Sequence, residues 1–117
     1  MSETERLPDE FLNAMAEVIK LIGHPLRLRI LEFLDLNGEC TVSRILAGIS
    51  APQSAVSQHL NRMRAAGIVA CRREGRQIFY RIAAVNAVTI LNCLRTKYRA
   101  MQEDAVTERR QLQASEN

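Results

Sequence analysis

The chain has 117 residues, 47% of them hydrophobic, and a net charge of +3; these values suit one folded domain and argue against a disordered chain. No apolar run nears the roughly 18 residues needed to cross a bilayer, and Met1 to Asp9 lack a secretory signal profile, so a cytoplasmic protein without membrane contact is expected. Three cysteines at irregular spacing, with no Cys-x-x-Cys pair, fit a reducing compartment rather than a disulfide framework.

In chain order, Leu12, Met15, Ile19 and Ile22 recur at helical spacing after Pro8, Asp9 and Glu10, which suit a first helical turn. Gly23 ends that helix and Pro25 opens a second, with Leu26, Ile30 and Leu34 on one side and Asn37-Gly38 as its stop. A short third helix fits Val42 to Ile49. Ser50-Ala51-Pro52 breaks the chain before a fourth helix from about Pro52 to Ala66, which turns Val56, Leu60 and Met63 inward and closes at Gly67. The period then becomes strand-like. Ile68 to Arg73 and Arg76 to Ile82 read as a hairpin around Glu74-Gly75, with Val69, Cys71, Ile78, Tyr80 and Ile82 on one apolar face. Cys71 reads as a packing residue there. A long last helix starts near Val85, with Val88, Leu91, Leu94, Tyr98 and Met101 as its stripe. Residues 1–102 form the expected domain, and 103–117 read as a polar tail that frays. The fold class is mainly α with a β-hairpin wing: a winged helix-turn-helix in the order of four helices, two strands and a fifth helix.

Charge is distributed unevenly along this order. Residues 1–43 carry eight acids against four bases, whereas residues 44–99 carry ten bases against Glu74 alone. Nine of those ten are arginine, whose planar fork suits phosphate. A cationic centre between acidic ends points to a polyanion held by one part of the fold.

The fourth helix carries the readout. Its outer face presents Gln53, Ser54, Ser57, Gln58, Asn61 and Arg62, with His59 on the same helix. Asn and Gln can bond adenine through two atoms, Arg can fork onto guanine, and Ser reaches bases or phosphate. No acid lies between Glu39 and Glu74, as a helix facing phosphates requires. Arg72, Arg73 and Arg76 surround the hairpin turn, where a wing would follow the DNA backbone. The expected partner is therefore a double-stranded DNA operator. A helical interaction module using these arginines on an acidic protein is the alternative, although it has no need of a Ser/Gln/Asn face. No paired carboxylates, nucleophile–base set or phosphate-cradling glycine loop suggests an enzyme, and no cofactor is expected.

The chain resembles the ArsR/SmtB family of winged-helix transcriptional repressors over about residues 12–100. The resemblance lies in His24-Pro25-Leu26-Arg27-Leu28-Arg29-Ile30-Leu31, in Gln53-Ser54-Ala55-Val56-Ser57-Gln58-His59-Leu60, in Ala66-Gly67-Ile68-Val69, in Arg73-Glu74-Gly75-Arg76 and in Phe79-Tyr80-Arg81-Ile82. It implies a homodimer through the first and last helices and a repressor released by an inducer. The Ser-Ala-Val-Ser-Gln-His-Leu stretch is similar to the persulfide-sensing branch.

Departures from the family pattern are informative. Thr41 and Ser43 stand where the family's thiolate metal site has cysteines, and Ala84 and Asn86 where its other metal site has Asp and His. No metal site is expected. Glu32 and Arg99 occupy the positions of the persulfide branch's two cysteines. Cys40 and Cys93 are displaced from those positions in opposite senses, so they form a candidate sensor pair if the second and last helices run antiparallel.

Overall fold

The computed structural model describes residues 5–116. Its elements follow in the order α1 (Asp9–Ile22), α2 (Pro25–Asn37), β1 (Cys40–Thr41), α3 (Val42–Gly48), α4 (Gln53–Ala65), β2 (Val69–Glu74), β3 (Gln77–Ile82) and α5 (Val85–Glu116). This is the expected winged helix-turn-helix with one strand added. Local chemistry sets most boundaries. Pro25 occupies the first turn of α2, and the His24 ring accepts a hydrogen bond from the Leu26 amide at 3.1 Å as its N-cap. Thr41 caps α3 by accepting from the Arg44 amide at 3.2 Å. At the end of α4 the Ile68 amide donates to Met63 and the Gly67 amide to Arg64, a pattern that needs Gly67 at its φ of +79°. Ile68 is buried by that turn, which fixes where the wing begins.

The sheet has the order β1-β3-β2, all antiparallel. The hairpin pairs Glu74 with Gln77, so its turn residues are Gly75 and Arg76, one position later than expected. Gly75 takes φ +62° at the first turn position, where a two-residue turn of the II′ kind needs glycine. Moving the turn by one residue shifts both strands equally. The apolar face therefore keeps Val69, Cys71, Ile78, Tyr80 and Ile82 together.

Cys71 does not pack as expected. The hairpin outgrows the core, so burial falls from Val69 at the root to exposed Cys71 and Ile78 near the tip. Strand β1 is the added strand: Cys40 pairs with Tyr80 and Thr41 with Phe79, and the Cys40 side chain is buried.

The core joins Ile22 of α1, Ile30, Leu31 and Leu34 of α2, Ile45 of α3, Val56, Leu60 and Met63 of α4, Val69 and Tyr80 of the sheet, and Ala87 and Leu91 of α5. Two expected stripes are covered only in part. On α1, Leu12 and Ile19 remain exposed, and on α5 so do Leu94, Tyr98 and Met101.

Helix α5 also runs on through Glu116 instead of fraying after Gln102. No Gly or Pro interrupts it between Val85 and Glu116, and its distal part is rich in strong helix formers such as Ala, Glu, Arg, Gln and Leu. Thirty-two residues at helical rise make a rod of about 48 Å, which explains the elongated 64 × 43 × 20 Å outline.

Candidate nucleic-acid interface

Helix α4 presents the side chains expected of a recognition helix. Val56, Leu60 and Met63 are buried, while Gln53, Ser54, Gln58, Asn61 and Arg62 are exposed and Ser57 is half-buried. No side chain caps the N-terminus of α4, where Pro52 holds the N-cap position, and its first turn has no acid. An incoming anion therefore meets free amides and the positive end of the helix dipole.

His59 has a different role. Its Nδ1 accepts a hydrogen bond from Arg27 Nε at 3.0 Å, and its ring lies 4.5 Å from that of His24. Arg27 also donates to the Leu21 carbonyl at 2.6 Å. One guanidinium thus ties the end of α1 and the start of α2 to the recognition helix. His59 is held here by its own fold. The sequence signal was present in His24-Pro25-Leu26-Arg27, but its target lies 32 residues away.

The pKa of His59 is pushed below the ordinary histidine value, first by burial and then by His24, Arg27 and Arg62. The folded state therefore binds fewer protons at this site than the unfolded chain. The stability from the neutral ring is complete above the unfolded value of about 6.5 and is lost as pH falls through the folded value. His59→Gln keeps an acceptor for Arg27 and removes the titration. Urea midpoints measured on both sides of the histidine range should fall in acid for the wild type and fall less for the variant. Equal acid losses would show that His59 does not titrate this way.

The wing arginines divide in a similar manner. Arg72 donates to Glu39 and to Glu74, each at 2.7 Å, and its guanidinium carbon lies 4.7 Å above the Phe79 ring. Those carboxylates raise its pKa further, Glu74 contributing most. Arg72 is therefore a strut between the wing and the chain entering β1, with its charge already matched. Arg73 donates to the Gly75 carbonyl at 3.1 Å and stiffens the turn. Arg76, at the second turn position, is exposed.

The two candidate sensor thiols have unlike surroundings. Cys40 is 1% exposed, shares a sheet row with Tyr80, and its Sγ lies 3.0 Å from the Gly38 carbonyl. Cys93 is exposed on α5, in a shallow surface groove formed by that helix's own Thr89, Asn92, Thr96, Lys97 and Ala100. Both thiols are free. Among the described residues, no group of three or more His, Cys, Asp or Glu is placed to hold a metal ion. No described helix is long and apolar enough to cross a membrane.

A recognition helix with an acid-free polar face, followed by a basic hairpin, is the architecture of a known group of regulators. Residues 24–70 match the family described as bacterial regulatory protein, arsR family. The biofilm growth-associated repressor of Xylella fastidiosa is 36% identical over 93 residues, spanning 80% of this chain and 81% of that protein. The chain belongs to the ArsR family. The crystal structure of the transcriptional repressor BigR from Xylella fastidiosa matches with a TM-score of 0.71 at 34% identity, covering 77% of this chain and 91% of that one. The AntR antimony-specific transcriptional repressor matches with a TM-score of 0.74 at 25% identity, over 86% and 93% of the two chains. As an ArsR-family member the chain is a DNA-binding transcriptional regulator, and the reading as an acidic-protein module is not supported.

Proposed function

We propose that this protein acts in the cytoplasm as a homodimeric repressor that occupies a double-stranded DNA operator and leaves it when a chemical signal changes the dimer. It works by binding alone, without catalysis. The observation that carries the reading is the outer face of α4, where Gln53, Ser54, Gln58, Asn61 and Arg62 stand exposed over a fully buried Val56, Leu60 and Met63. Two such helices, about 34 Å apart in a dimer, would enter successive major grooves. Arg76 and the Arg73-braced turn would lie along the flanking backbone. The Cys40–Cys93 pair has no part in this reading, because one thiol is sealed in the sheet and the other faces outward.

Binding to duplex DNA at several salt concentrations, with an operator selected from random duplexes, tests the proposal. Arg62→Ala should cost roughly 1–3 kcal/mol and relax preference at one base position. Arg76→Ala should weaken all sequences alike and reduce the salt slope by about one unit. Arg72→Ala should change the salt slope less than Arg76→Ala, because its charge is already matched by Glu39 and Glu74. Unchanged binding in both the Arg62 and Arg76 variants would overturn the proposed docking.

A further inference from the structure

Helix α5 leaves the body of the molecule along one face. Ala87 and Leu91 are buried there, and Arg95 follows at the next step of four residues. Among the described residues from Asn92 to Asp104, Arg95 alone is not exposed. Its Nη1 donates to Asp35 at 2.7 Å and to Asn92 at 2.9 Å. Asp35 lies 60 residues back, in the last turn of α2, directly after the buried Leu34. Nη2 of the same guanidinium is buried and has no hydrogen-bond partner among the described residues. Sealing an unpaired donor beside an ion pair costs stability. The arrangement therefore serves position more than stability.

Helix α2 carries the consequence. Its first turn holds Arg27, which donates to His59 of α4, and its last turn holds Asp35. Residues 27 and 35 are about 12 Å apart along the axis at helical rise. Between them Ile30, Leu31 and Leu34 are buried, so α2 is a stiff link. One polar contact at each end thus joins α5, α2 and α4 in series. Ala87 and Leu91 hold α5 by apolar packing, which has no preferred direction and permits a roll. Hydrogen bonds are directional, so the Arg95–Asp35 pair resists that roll.

We infer that Asp35 and Arg95 are positioning residues that fix the angle between α5 and the DNA-reading body, and through it the separation of the two α4 helices in a dimer. The inference rests on the homodimer reading and adds what sets its geometry. In that reading α5 bears the face covered by the second subunit, and the two-fold axis copies any change of angle into both bodies. Two recognition helices that read half-sites about 34 Å apart tolerate little such change. One base pair more or less moves a half-site by about 3.4 Å and turns it by about 35° around the duplex.

Operators selected from random duplexes, then lengthened or shortened by one base pair between half-sites, test this with the full-length protein. Wild type should bind the altered spacings about thirtyfold more weakly than the selected one. Asp35→Asn and Arg95→Gln should each bind the selected operator about tenfold more weakly, with the spacing penalty reduced to about threefold. The double variant should match the single ones, since either change already breaks the pair. Binding to an isolated half-site, and the dimer Kd from sedimentation, should stay within about threefold of wild type. A general loss of fold would move both.

Variants that keep the wild-type spacing penalty would overturn the positioning role and leave the homodimer reading standing. Single losses that add in the double variant would do the same, as would losses of equal size on an isolated half-site. A wild-type chain with no dependence on spacing would remove both readings.

Discussion

Replacing Leu60 with alanine should cost about 2–5 kcal/mol of folding stability. Leu60 is 0% exposed on the inner face of α4, in the cluster that joins α4 to α2, α3 and the root of the wing. A domain of this size holds only about 5–15 kcal/mol in total, so the variant should melt roughly 10–30 °C below wild type. Function should follow stability, not chemistry, because the neighbouring Asn61 and Arg62 are untouched. Well below its melting point the variant should still bind DNA, and close to that lowered melting point it should not. Ser54→Ala, on the opposite face, is the control: its melting point should stay close to wild type. Thermal unfolding beside DNA titration at two temperatures separates the two effects. A loss under about 1 kcal/mol for Leu60→Ala would mean that α4 is not anchored as described.

The legible part of this protein was written locally. Pro25 and Gly38 bracket α2, Gly67 closes α4, and a period of two between Val69 and Ile82 marks the hairpin. Each of these signals acts within a few residues, so a linear reading recovers it. The features that escaped are those in which the partner is distant. Strand β1 is two residues long and has no period of its own; it exists because β3 offers Phe79 and Tyr80 as partners. Arg72 looks like any wing arginine until Glu39, 33 residues away, takes its charge. His59 looks like a groove residue until Arg27 reaches across to it. Three of the basic and polar side chains assigned to DNA by type, Arg72, Arg73 and His59, are thus engaged within the fold. The proposed DNA contacts are therefore fewer than composition suggested, with the α4 face at one end and Arg76 at the other. The extent of α5 escaped for another reason. A polar composition reads as fraying, yet helix propensity without a breaker is enough to carry the helix on to Glu116.

Leu94→Glu should convert the dimer to a monomer and lower operator affinity by about two to four orders of magnitude. Leu94, Tyr98 and Met101 are 48%, 63% and 56% exposed in the single chain, and single soluble chains rarely leave so contiguous an apolar patch open to water. Phe11, Leu12 and Ile19 of α1 are exposed as well, and α1 packs on α5. Together these side chains form the face that the homodimer reading assigns to the second subunit. In an isolated chain the introduced carboxylate would stand at the surface, so secondary structure and core stability should change little. Arg95 next to it is held through Nη1 by Asp35 at 2.7 Å and Asn92 at 2.9 Å. In the dimer the charge would appear twice in a dry seam, where an unpaired carboxylate costs several kcal/mol. The affinity loss follows from valence: each half-site would then be bound by an independent chain, without the high effective concentration that a linked second helix supplies. Sedimentation and DNA titration on the same preparation check both halves of the expectation. A variant that stays dimeric would move the interface off α5, and a monomer with wild-type affinity would show that one α4 helix is sufficient for the operator.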